Sequence, residues 1–137
     1  MTKLFFAIDP DLHKSGTALY NSETKKLLSC ECVYLWDLFI MLDKMVNITI
    51  FLEAGHLDKR CWHGGGRGGS SNVGKGKAIG VLLQEFMDKK GIKYKLLKPD
   101  GYSNFFKDEK FFKTQTGWQG RTNSDSRAAA SMVWNRI

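Results

Sequence analysis

Leu4-Phe5-Phe6-Ala7-Ile8-Asp9-Pro10 is the stretch on which the fold turns. Five consecutive apolar residues leave no face for water. The run therefore reads as a strand covered on both sides, as in the middle of an α/β sheet. It ends in a carboxylate. A second run of the same kind, Ile48-Thr49-Ile50-Phe51-Leu52, ends in Glu53, and Asp125 opens the last apolar stretch. A carboxylate at the end of a buried strand needs little desolvation and is held by a rigid element. Acids that meet at one sheet edge repel unless a cation neutralises them. The three together read as a site for a hard divalent ion, Mg²⁺ or Mn²⁺, and that is the chemistry of two-metal phosphodiester cleavage.

Outward from these strands, the chain alternates in period. Residues 3–9, 16–20 and 26–33 read as three strands joined by a polar loop and an Asn21-Ser22-Glu23-Thr24 turn, an antiparallel meander. In the third, Leu28, Cys30 and Cys32 are expected on one face, with Ser29 and Glu31 on the other. Leu35, Leu38, Phe39, Leu42, Met45 and Val46 then form a helical stripe. Residues 48–53 follow as a strand parallel to the first, because a helix intervenes. Residues 54–71 are polar and Gly-rich, without strand or helix pattern. A second helix is expected from about Asn72, with Ile79, Leu82, Leu83 and Phe86 at helical spacing and Gly91 ending it. Residues 93–97 form a fifth strand before Pro99. Residues 100–117 hold one or two helical turns around Phe105, Phe106, Phe111 and Phe112. A last helix, capped by Asn123 or Ser124, runs to about Asn135. The order βββαβαβα over residues 1–137, with no repeat or linker, is a single α/β domain with a mixed five-stranded sheet flanked by helices.

Length and charge set the bounds. The 137 residues suffice for one buried core. A hydrophobic content of 42% with 26% charged residues is globular rather than disordered. No apolar run approaches the ~18 residues of a membrane span. The start, Met1-Thr2-Lys3, leads into a strand rather than a signal peptide, and the three cysteines suggest a reducing, cytoplasmic setting. Net charge is −2 over residues 1–55 and +9 over 56–137. Such an asymmetric basic surface suits a polyanion, whose counterions are released on binding.

Element order and acidic positions together resemble the ribonuclease H-like fold and, within it, the RuvC-type Holliday junction resolvases. Ala7-Ile8-Asp9-Pro10 with Ser15-Gly16-Thr17-Ala18 resembles that family's first-strand motif, and Phe51-Leu52-Glu53 its fourth-strand glutamate. Arg121-Thr122-Asn123-Ser124-Asp125-Ser126-Arg127 resembles the start of its final helix, above all in phage and prophage members. The resemblance implies an endonuclease acting on four-way DNA junctions as a homodimer. Asp9, Glu53 and Asp125 would hold two Mg²⁺ or Mn²⁺ ions, in a bacterial cell or a phage-infected host. One position departs. The family carries a second acid three residues into the last helix, on the same face, and here Ala128 stands there. The chain is then a weakened or inactive relative, or an engineered Asp→Ala form. A catalytically silent nucleic-acid-binding protein on the same scaffold is the alternative, and a nuclease for RNA/DNA hybrid or structured RNA is another.

Candidate nucleic-acid contacts follow the basic half: Arg60, Trp62, Arg67, Lys75 and Lys77 in and after the glycine segment, then Lys98, Lys107, Lys110, Lys113, Arg121 and Arg127. Trp62 has the shape to stack on or wedge between bases. Gly69 to Lys75 fits G-x-x-x-x-G-K, but Gly76 stands where the Mg²⁺-binding hydroxyl belongs and Glu53 ends its strand too early to launch a P-loop. Cys30-x-Cys32 with Cys61-x-His63 has zinc-like ligands, although Cys30 and Cys32 read better as small buried hydrophobes. The Phe/Lys interleaving at 105–113 reads as buried rings under a basic outer face. Trp118 reads as a lid on the core or a DNA contact.

Overall fold

The computed structural model describes residues 3–55, 69–98 and 102–134. Strands β1 (Leu4–Asp9), β2 (Lys14–Asn21) and β3 (Lys26–Tyr34) lead into helix α1 (Leu35–Lys44). Strand β4 (Ile48–Glu53), helix α2 (Gly69–Lys90) and strand β5 (Tyr94–Leu97) follow. The short helices α3 (Tyr102–Phe105) and α4 (Glu109–Thr116) precede α5 (Ser124–Val133). The sheet order is β3-β2-β1-β4-β5. β1 and β2, and β2 and β3, pair antiparallel, while β1 with β4 and β4 with β5 pair parallel. This is the mixed five-stranded α/β sheet of the ribonuclease H-like fold, as expected.

The apolar run of β1 exists because both of its faces are covered. Phe5 and Ala7 join Ala18, Tyr20 and Phe51 beneath Ala129, Ala130, Met132 and Val133 of α5. Phe6 and Ile8 face the other way, into Ile50, Leu52, Leu38 and Leu42 of α1 and Ile79, Leu83 and Met87 of α2. Each such fully buried side chain contributes roughly 1.5–3 kcal/mol relative to exposure. The small Ala129 and Ala130 let α5 lie close on the sheet.

Four local expectations change. Leu28 is exposed and Leu27 is buried instead, because the β2–β3 register slips between Leu19 and Tyr20, a bulge that leaves Leu28 outside the pairing. Helix α1 stops at Lys44, with Met45 extended, so Val46 leaves the apolar stripe and is exposed. Helix α2 begins at Gly69 rather than Asn72, so the G-x-x-x-x-G-K stretch is helical and cradles no phosphate. The rings at 105–112 are not all buried: Phe106 and Phe112 are, while Phe105 and Phe111 are exposed.

Candidate active site

β1 and β4 run side by side with Ile8 opposite Leu52, so Asp9 and Glu53 leave the sheet together at its carboxyl edge. Backbone pairing holds both ends: Asp9 sits opposite Gly16 of β2, and Ala54 N donates to Leu97 O at 2.7 Å just after Glu53. The loop between β1 and β2 is closed by Ser15, whose fully buried Oγ accepts from Asp11 N at 3.1 Å.

The third acid arrives on α5. Asn123 caps that helix, accepting from Ser126 N at 2.9 Å, while Ser126 Oγ accepts from Asn123 N at 3.1 Å, a reciprocal capping box. Asp125 lies in the first turn, where the helix dipole favours an acid. Two thiols of β3 dock this end: Cys30 Sγ donates to Ser126 O at 3.3 Å and Cys32 Sγ to Asn123 Oδ1 at 3.1 Å. Burial pushes the Cys30 thiol up to about 11 and raises Cys32 as well, so both remain protonated donors. Gly16 sets the closeness of the docking. A Cβ there would overlap the Asp125 carbonyl and stand 2.9 Å from Ser126 N. One glycine thus lies opposite Asp9 in the sheet and directly against the backbone of Asp125.

Electrostatics ties the acids together. Contrary to the sequence expectation, the strand ends are not cheaply desolvated: burial, then the neighbouring charge of Glu53 and a hydrogen bond to it, push the Asp9 carboxyl up to about 9, with Asp125 and Asp11 adding smaller repulsion. Glu53 is also raised by burial and by Asp125, while its hydrogen bond with Asp9 lowers it. Both carboxyls are thus raised, and the pair shares a proton. Asp125 is raised by burial and then by Asp11. No three His, Cys, Asp or Glu side chains among the described residues stand closed around one point. The donor set is all oxygen and starved of positive charge, which fits a hard divalent ion in place of that proton.

Asp11 is the participant that the sequence reading missed, its charge reaching both Asp9 and Asp125. The signal was present in Asp9-Pro10-Asp11, a second acid two residues beyond the strand end. Ala128 lies one turn beyond Asp125, 4% exposed, and stands outside the apolar cluster that takes Ala129 and Ala130.

The basic candidates divide. Lys98 is exposed and follows Leu97, the partner of Glu53, at the acid end of the sheet. Lys107, Lys110 and Arg121 are exposed, and Lys113 Nζ lies 3.2 Å from Glu109. Two are turned inward. Lys77 is buried, at 5% exposed. Arg127 donates from Nε to Phe106 O at 3.0 Å, from Nη1 to Thr122 Oγ1 at 2.8 Å and from Nη2 to Lys107 O at 3.3 Å. Its guanidinium staples α5 to the α3–α4 turn rather than reaching outward. Trp118 packs half-buried against the α5-side cluster, as a lid on the core. His56, Arg60, Cys61, Trp62, His63 and Arg67, together with the side chain of Lys75, lie outside the described residues.

No family model matches the chain, and no curated protein matches it. Solved structures do. RuvC of T. thermophilus in complex with a Holliday junction substrate matches with a TM-score of 0.59, over 96% of this chain and 91% of that one, at 12% identity. The likeness is one of fold, and it runs the length of both chains.

Proposed function

We propose that the chain is a structure-selective endonuclease for branched DNA of the four-way kind, with Asp9, Glu53 and Asp125 holding divalent ions. The observation that carries this reading is the carboxylate edge: two parallel central strands end in Asp9 and Glu53, the docked helix end brings Asp125 within reach of their charge, and burial, then the charge of Glu53, raises the Asp9 carboxyl to about 9. Divalent ions bound there supply the charge that activates water and stabilises a leaving oxygen. The chain's own residues position and balance. Asp9 and Glu53 exchange their shared proton for the cation, Gly16 fixes the reach to Asp125, and Asp11 adds negative charge nearby. Exposed Lys98, Lys107, Lys110 and Arg121 supply phosphate contacts. The fold likeness to a structure bound to a Holliday junction supports this substrate class. A two-fold dimer, giving paired nicks, fits the exposed Val81 and Leu82 on the outer side of α2.

Ala128 favours a second reading, a binder of branched nucleic acid without turnover. Labelled four-way junctions, duplex, RNA/DNA hybrid and structured RNA, incubated with Mg²⁺ or Mn²⁺ and either the chain or its Ala128→Asp variant, separate the two. The expected result is junction cleavage that rises strongly with Asp at 128 and disappears with Asp9→Asn. Junction binding with no cleavage in either form would leave the binder.

A further inference from the structure

Residues 105–112 contain two Phe–Phe pairs, and each pair splits. Phe106 and Phe112 are fully buried, whereas Phe105 is 53% and Phe111 39% exposed. The two exposed rings stand 6.0 Å apart, nearly perpendicular at 75°. Both rest on Phe106, at 4.6 Å and 6.1 Å. Held from beneath, they keep their outer surfaces in place, so a flat partner loses little freedom on meeting them.

The surroundings say what kind of partner fits. Lys107 and Lys110, chain neighbours of Phe106 and Phe111, are exposed. A shallow cavity of about 570 Å³ on α4 is lined by Lys110, Lys113, Thr114 and Glu109. The ledge is also tied to the carboxylate edge, because Arg127, two residues beyond Asp125, clamps the carbonyls of Phe106 and Lys107. A group with a π-face and a phosphate one nucleotide away uses both the rings and the lysines. An apolar peptide would leave the lysines unused.

We propose that Phe105 and Phe111 form a stacking ledge for an unpaired nucleobase at a DNA branch, with Lys110 taking the adjoining phosphate. The assignment rests on the nucleic-acid reading of the carboxylate site and goes beyond it by naming where a splayed base is held. Stacking on an aromatic side chain tolerates any base, so the ledge recognises the branch rather than a sequence.

The test places 2-aminopurine at the branch of a four-way junction and in a matched duplex, titrated with protein in EDTA. The variants are Phe105→Leu with Phe111→Leu, each single change, and Lys110→Ala. Leucine keeps apolar volume over Phe106 but offers no flat face, and the single changes carry the test if the double variant does not fold in a thermal melt. The parent should quench the branch fluorophore on binding. The double Leu variant should lose the quenching and bind the junction roughly 5- to 150-fold more weakly, with duplex affinity kept. Lys110→Ala should flatten the log–log salt dependence by about one. Full quenching and affinity in every Leu variant would remove the ledge while leaving the nuclease reading in place. A parent that binds no branched DNA would remove both.

Discussion

Gly16 occupies a position where a single methyl group matters. Its neighbour across the strand pair is Asp9, and its missing side chain is the space taken by the Asp125 backbone. A Gly16→Ala change has no room, since the clash is with backbone rather than the end of a flexible side chain. The expected cost is about 1–3 kcal/mol of stability, the usual range for overpacking. Part of it should appear as displacement of α5, so the stabilisation by Mn²⁺ should fall by more than unfolding in EDTA does. Denaturant unfolding of both forms, with and without the ion, checks this. Equal stability of the variant would mean that α5 docks elsewhere.

At the scale of elements, α2 has two sides. Ile79, Leu83 and Met87 belong to the core on the sheet side, while Val81 and Leu82 face outward, half exposed. If the outer side joins two copies, Leu82→Arg should yield a monomer with an unchanged melting profile at low concentration, and sedimentation would report it. A dimer that persists in the variant places the interface on another surface. Periodicity made most of the elements legible in advance. The continuous runs in β1 and β4 require cover on both faces, and the stripes of α1 and α2 require one. What could not be read follows from pairing and from weak formers. The bulge at Leu28 depends on where β2 meets β3, which no local pattern states. The first turns of α2 are Gly-Ser-Ser-Asn-Val-Gly, residues whose intrinsic preference argues against helix, so local propensity points to a start later than Gly69. Asp9, Glu53 and Asp125 were legible because each ends or opens an apolar stretch. Asp11 and the thiol anchors of Asn123 and Ser126 were not, since their roles arise from strands meeting a helix far away in sequence. Arg127 looked like a surface cation for the same reason, because its acceptors are backbone carbonyls that sequence does not display.

For the molecule as a whole, the acid cluster should govern how stability changes with pH. Asp9 is raised to about 9 in the folded chain, from about 3.9 when unfolded. Between these values the folded state holds more protons than the unfolded one. The stabilisation from this group is complete below about pH 4 and is lost as pH climbs toward 9. Glu53 and Asp125 are raised as well and act with the same sign. In EDTA the melting temperature should therefore decline from pH 5 to pH 9, Asp9→Asn should flatten the decline, and Mg²⁺ or Mn²⁺ should offset it increasingly at higher pH. Melts across that range decide the matter, and a metal-free profile that is level or rising would contradict the placement of the three acids. A different consequence follows from the contact between Gly16 and Asp125. It joins the beginning of the sheet to the last helix, a closure between distant parts of the chain of the kind that slows folding. A half-built molecule with its strands paired can present two acids, but not the third. The three-acid edge is thereby complete only once the last helix has docked on the sheet.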